Sequence, residues 1–135
     1  MAEYLLDTNH LSPLVTLGHP LRRRFFETQQ SGDRFGLPVP VLTETLFGLS
    51  LTPRAAHNLA EWRRLLPGLT IYDLDRADAE QAAELQLQLR RQGWQLATVD
   101  ALIAAVALRH DLTLLTRDKD FTVISALKQE NWLES

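Results

Sequence analysis

The sequence predicts an α/β protein: a three-layer α/β/α sandwich around a central parallel sheet of about four to five strands. Short apolar runs alternate with helical patterns along the whole chain, the order that builds βαβ units. The helical stretches are long enough to carry a chain back across a sheet. One of them, Val99 to Leu108, is almost wholly apolar, and a helix apolar on every side is a buried one. A parallel sheet covered on both faces accounts for all three features.

The elements follow in order. Tyr4 to Leu6 is a short apolar run stopped by Asp7-Thr8-Asn9, a turn and cap cluster, and reads as a buried first strand. Pro20 opens a helix to about Gln30, with Leu21 and Phe25 at i and i+4, and Ser31-Gly32-Asp33 stops it. Leu37 to Val41 reads as the second strand. Pro38 and Pro40 argue against a central, fully hydrogen-bonded place for it. A helix then carries Glu44 to Leu49. Thr52-Pro53 reads as the cap and first-turn proline of the next helix, which sets Leu59, Trp62 and Leu66 on one face and ends at Pro67-Gly68.

Leu69 to Tyr72 is the third strand. Asp75 caps a long helix to about Gln92, striped by Ala82, Leu85 and Leu89 and terminated by Gly93. After the buried helix, Leu112 to Leu115 forms the fourth strand, a short helical turn follows Asp118, and Leu127 to Trp132 is the last strand. Crossovers are expected to be right-handed.

With 135 residues the chain is expected to form one domain, residues 1–135, with a sizeable core. The absence of cysteine excludes disulfides and thiolate-ligated metals. The N-terminal residues lack the pattern of a signal peptide, and no apolar stretch approaches the roughly 20 residues that span a bilayer. The expectation is a cytoplasmic protein without membrane contact.

Four acids stand out by position. Asp7 lies just past the first strand and Asp118 just past the fourth. Glu44 falls in the first turn of the helix after the second strand, and Asp100 in the first turn of the buried helix. In a parallel sheet the strand C-termini and the following helix N-termini share one edge, where sites form. Each acid also has an ordinary reading as a cap, a dipole partner or a surface charge. Four independent caps have no reason to share one edge.

Converging carboxylates repel one another, and a divalent cation relieves this. All-oxygen ligation suits Mg2+ or Mn2+. Such ions often work in pairs on phosphodiesters, so the implied substrate is a nucleic acid backbone. The net charge of −3 argues against such a substrate only superficially. Setting aside Asp7, Glu44, Asp100, Asp118 and Asp120 leaves 12 acids against 14 bases. Candidate backbone contacts are Arg22-Arg23-Arg24, Arg63-Arg64, Arg90-Arg91 and Arg117, although arginine doublets are commonly just a solvated helix face. No aromatic-interleaved RNA-binding stretch is visible.

Four segments together resemble the PIN-domain family, and within it the VapC toxins of toxin–antitoxin pairs. They are Leu5-Leu6-Asp7-Thr8-Asn9, Thr43 to Gly48, Thr98 to Ala105 and Leu114 to Phe121. The resemblance spans the whole chain. It implies a Mg2+- or Mn2+-dependent endoribonuclease with Asp7, Glu44 and Asp100 as core acidic ligands. Asp118 is implied as the fourth, with Asp120 as its competitor; which of the two faces the metal stays open. Thr8, Asn9 and Thr116 would orient carboxylates or water, and Thr98 would cap the helix that presents Asp100. The resemblance further implies a homodimer and a cognate VapB-type antitoxin. The apolar positions Phe47, Leu51, Leu59 and Trp62 are candidates for those contacts, ordinary core being the alternative.

Other readings are a PIN-like protein that binds RNA or a partner without cutting, and a receiver-type signalling domain. In the latter, Glu44 and Asp100 would have no role. His10, His19, His57 and His110 show no ligand spacing; they read as surface or capping histidines, with only His10 close to the site.

Overall fold

A computed structural model of the protein describes residues 1–133. Five strands, β1 (Glu3–Leu6), β2 (Arg34–Pro38), β3 (Thr70–Tyr72), β4 (Thr113–Leu115) and β5 (Gln129–Glu130), form one sheet. Its order is β3-β2-β1-β4-β5 and every neighbouring pair is parallel. The helices are α1 (Thr8–Leu11), α2 (Pro20–Gln30), α3 (Val39–Ser50), α4 (Ala55–Leu65), α5 (Arg76–Arg91) and α6 (Thr98–Arg109).

Successive strand residues point to opposite faces. Leu5 and Leu6 are both buried, as are Leu114 and Leu115, so both faces of the central strands are covered. The helices form two groups. α5 packs along α6, while α3 packs on α1 and α4, and the 3-10 turn Ser12–Val15 joins α2 and α4 to that second group. Leu5, Leu37, Ile103 and Leu114 are essentially inaccessible and mark the centre of the core. At one end of the sheet Tyr4, Phe25, Phe35 and Trp132 form an aromatic cluster, with ring centroids 4.5–5.8 Å apart.

Local chemistry explains the boundaries. Asp75 and Asp78 form a capping box at the start of α5, and Arg109 Nε reaches the buried Asp78 carboxylate at 2.8 Å, tying the end of α6 to the start of α5. Gly93 has φ +88°, the left-handed conformation that glycine supplies beyond a helix end.

Some expectations need correction. The second strand spans Arg34–Pro38 rather than Leu37 to Val41, and it lies between β1 and β3 rather than at an edge. Pro38 falls on its last residue and Pro40 in the first helical turn, where neither missing N–H interrupts a ladder. Because α3 starts at Val39, Glu44 sits in its second turn, not its first. Helix α4 begins at Ala55, and Thr52 is not its cap. The Thr52 hydroxyl donates to the Leu49 carbonyl at 2.7 Å and accepts from Asn58 Nδ2 at 3.0 Å. The last strand pairs only through Gln129–Glu130, after which Trp132 turns its ring into the aromatic cluster.

The β2–β3 pairing depends on Gly36. A Cβ there would meet the Thr70 carbonyl at 2.6 Å and collide with the Tyr72 ring. Gly36→Ala is expected to cost about 1–3 kcal/mol of stability, as overpacking does, read as a lowered urea midpoint.

Candidate active site

The chain runs outward from β1 through β2 to β3, then places β4 on the other side of β1. The direction of winding therefore reverses between β1 and β4, and sites in open parallel sheets form at such a reversal, beyond the strand C-termini. A cleft of about 850 Å3 opens there. Asp7, Glu44, Asp100 and Asp118 all line it, together with Thr8, Asn9 and Arg117.

Asp7 is the most deeply held. Its backbone N–H donates to Leu115 O at 3.1 Å, continuing the β1–β4 ladder by one residue. Its side chain caps α1: Oδ1 accepts from the Thr8 N–H at 2.8 Å. Oδ2 accepts from Thr116 Oγ1 at 2.8 Å and from Asn9 Nδ2 at 3.3 Å. Asp100 lies in the first turn of α6. Asp118 caps the 3-10 turn Lys119–Val123, its Oδ1 accepting from the Asp120 N–H at 2.9 Å. The carboxylates of Asp100, Asp118 and Asp120 can bring oxygens within 4.8 Å of one another. Asp120 is exposed and does not line the main cleft, whereas Asp118 belongs to both groupings.

The polar residues around the acids divide. Thr116 is buried and bridges two of them, donating to Asp7 and accepting the Asp118 N–H at 3.0 Å. Asn9 reaches Asp7, Thr116 and, through Oδ1, the Arg117 N–H at 3.2 Å. Thr8 lines the cleft, and its hydroxyl is buried without a hydrogen-bond partner among the described residues. Thr98 does not cap α6. Ala97 occupies the cap position and offers no side-chain bond, while Thr98 Oγ1 accepts from Gln86 Nε2 at 3.2 Å. Of the histidines, His19 caps α2, its Nδ1 accepting from the Leu21 N–H at 3.1 Å. His10 is neither surface nor cap; it is fully buried and hydrogen-bonded to Asn9. Its place near the site agrees with the sequence, but a surface or capping role does not, because nothing in Asp-Thr-Asn-His shows that the histidine faces inward. Thr45, beside Glu44, is buried and its hydroxyl has no partner among the described residues.

The electrostatics follow from crowding. Asp100 is pushed up to about 6, first by burial and then by Asp118, Asp7, Asp120 and Glu44. Burial also raises Asp7, against the opposing hydrogen bonds from Thr116, Thr8 and Asn9. Glu44 is raised by burial and then by Asp7. Acids that repel one another in a shared cleft hold protons more tightly than free carboxylates, and a cation displaces those protons. The donor set is all oxygen, from aspartate and glutamate, which fits a hard divalent ion. Beside the cleft, the buried Thr8 hydroxyl has no partner among the described residues, an orphaned polar group next to the acids that is consistent with a polar binding site.

The chain matches the PIN domain family over residues 4–127. It is 25% identical over 134 residues to the tRNA(fMet)-specific endonuclease VapC of Shigella flexneri, a match covering 98% of this chain and 99% of that protein. It is 31% identical over 129 residues to ribonuclease VapC51 of Mycobacterium tuberculosis, covering 93% and 87%. The fold superposes with a TM-score of 0.83, at 25% identity, on the crystal structure of VapBC2 from Rickettsia felis bound to a promoter DNA fragment, covering 96% of this chain and 98% of that one. With its acids gathered at the sheet's reversal point and these matches spanning nearly its full length, the chain belongs to the PIN-domain family, among the VapC ribonucleases.

Proposed function

We propose that this chain, read as one nuclease domain over residues 1–135, is a metal-dependent endoribonuclease and the toxin of a VapBC-type toxin–antitoxin pair. The convergence of Asp7, Glu44, Asp100 and Asp118 in one cleft, with Asp120 at its margin, carries this reading. These five residues would hold Mg2+ or Mn2+. The bound ion would supply Lewis acidity toward the scissile phosphate and the attacking water. Asp7, fixed by three hydrogen bonds, presents its carboxylate in a preset orientation. Asp118 and Asp120 need not compete, since both can bring an oxygen close to Asp100.

Arg117 lines the cleft beside Asp118, which supports a contact between its guanidinium and an RNA phosphate. Arg90 and Arg91 are exposed and form no ion pair among the described residues, so both are free for backbone contact. Arg63 is likewise exposed and without an ion pair among the described residues, whereas the other candidates are engaged in structure. Arg22 and Arg64 both pair with Glu61 at 3.2 Å, Arg23 pairs with Glu27, and Arg24 lies 3.8 Å over the Trp132 ring.

A VapB-type antitoxin and a second copy of the chain are the proposed partners. Phe47 and Leu51 of α3 and the residue after it are 67% and 70% exposed one helical turn apart, and are available to a partner. Trp62 is core, and Leu59 packs against the core. Among the described residues no helix is long and apolar enough to cross a membrane, and a cytoplasmic location is proposed with the antitoxin.

The purified protein is expected to cleave RNA with Mg2+ or Mn2+ and to stop with chelator. Asp7→Asn and Asp100→Asn should each lower cleavage about 100-fold or more while circular dichroism stays unchanged. Cleavage that survives chelator and both substitutions would exclude the mechanism. Arg117→Ala is expected to raise KM and to reduce the slope of log affinity against log salt by about 1.

The crowded acids also make a stability prediction. Asp100 titrates near 6 in the folded protein and near 3.8 as an ordinary aspartate. Between those values the folded state holds the proton more tightly, so the metal-free protein loses stability as pH rises through the window. At pH 7 the penalty is complete, and Asp100→Asn should stabilise the metal-free protein by about 1 kcal/mol after solvent screening. The difference should vanish below about pH 4 and reverse when Mg2+ saturates the wild type. Thermal melts across pH, with and without Mg2+, check it.

A further inference from the structure

We propose that His10 is a positioning residue that fixes the Asn9 amide and, through it, the Asp7 carboxylate. This rests on the reading of Asp7 as a metal ligand.

His10 is completely buried on α1 and both ring nitrogens are engaged. The Trp132 backbone N–H donates to Nε2 at 2.9 Å. Nε2 therefore carries no proton, and the neutral ring holds its proton on Nδ1. That proton is donated to Asn9 Oδ1 at 2.6 Å. Burial first, and then Arg117 and Arg24, push His10 down to about 4, so the ring stays neutral at physiological pH.

Asn9 Oδ1 also accepts the Arg117 N–H at 3.2 Å. Two donors thus face Oδ1, and the amide nitrogen must turn the other way. There it donates to Asp7 Oδ2 and Thr116 Oγ1, both at 3.3 Å. A flipped amide would set donor against donor at His10 and at Arg117 and turn its oxygen toward a carboxylate. The ring thus passes the position of the Trp132 backbone to Asp7 in three hydrogen bonds. The starting point is rigid: the Trp132 ring packs on Tyr4 and Phe35 beneath the Arg24 guanidinium.

A merely structural histidine would serve the C-terminal segment and leave the site alone. Two substitutions separate the roles. His10→Asn keeps a donor near the Nδ1 position and loses the acceptor that reaches Trp132. His10→Gln keeps an acceptor near the Nε2 position and loses the donor toward Asn9. The experiment measures Mn2+ binding by electron paramagnetic resonance, RNA cleavage kinetics and the Tm for both variants, Asn9→Ala and the Asn9→Ala/His10→Gln double variant.

His10→Asn should have the lower Tm yet bind Mn2+ within about threefold of wild type. His10→Gln should lose about tenfold in Mn2+ affinity and in kcat, with KM little changed. In the Asn9→Ala background, His10→Gln should add less than twofold, because its only route to the site is gone. Wild-type Mn2+ affinity in folded His10→Gln, or multiplying effects in the double variant, would overturn the proposal.

A long-range proton–nitrogen spectrum of the wild type gives a readout free of any variant's folding. It should show the proton on Nδ1, and a proton on Nε2 would equally overturn the role. A wild type that neither binds Mn2+ nor cleaves RNA would overturn the metal reading, and the positioning role with it. Failure of His10 alone shows as wild-type binding that His10→Gln retains.

Discussion

The pairing of β1 with β4 is the contact on which both fold and site depend. It joins Leu5 to Leu114 and Leu6 to Leu115 in register, and the Asp7 N–H extends the ladder to Leu115 O. One residue further the ladder becomes chemistry, as the Thr116 hydroxyl donates to the Asp7 carboxylate across 109 positions of sequence. A slip of one residue would turn every side chain of β4 to the other face and part Thr116 from Asp7. The buried leucines that fix the register therefore also fix the site. Because β2 and β3 lie on one side of this pair and β5 on the other, the helices leave a gap at its C-terminal end, and the cleft opens there.

The acids in that gap weaken the fold that holds them. Asp100, Asp7 and Glu44 all carry raised proton affinities, and each of the three is raised in part by another acid of the cleft. The fold accommodates the crowding with hydrogen bonds. Asp7 receives three, and Asp118 caps a 3-10 turn. Asp100 receives no comparable set of side-chain donors among the described residues, and it carries the largest shift. This is the pattern of a site whose stability is traded for ligand affinity. The ion that the acids attract would return what their repulsion costs.

Much of this was legible in the sequence, and the failures have a common cause. The strand C-termini and the buried α6 could be read from apolar runs, and with them the placement of Asp7, Asp100 and Asp118, because burial on both faces leaves an unmistakable pattern. The second strand is the hardest to read, because its prolines suggest an interrupted ladder. Pro38 ends β2 and Pro40 starts α3, so a central strand tolerates both. Thr52 and Thr98 have the residue type of caps, yet the Thr52 hydroxyl turns back to the Leu49 carbonyl at the end of α3, and the Thr98 hydroxyl takes a partner from the neighbouring helix α5. His10 was illegible for the same reason. Its partner Trp132 lies 122 positions away, and no local pattern announces so distant a bond.

Charge shows the same division between local pattern and tertiary use. Arginine clusters in sequence suggested a basic face, but the structure spends several of them inside the molecule. Glu61 is buried, and Arg22 and Arg64 both pair with it; a buried carboxylate left without either would be strongly destabilising. Arg22 also donates to the Leu14 carbonyl at 2.6 Å, fastening α2 to the 3-10 turn that follows α1. Arg24 covers Trp132, the anchor of His10. Among the cations without an ion pair in the described residues, Arg117 lies in the cleft's wall, Lys119 follows Asp118, and Arg90 and Arg91 stand at the end of α5, ahead of the helix that carries Asp100; Arg34, Arg54 and Arg63 are exposed on other elements. A protein of net charge −3 can therefore meet a phosphate backbone, since the acids that set the balance sit where a metal would neutralise them and Arg117 stands beside them in the cleft.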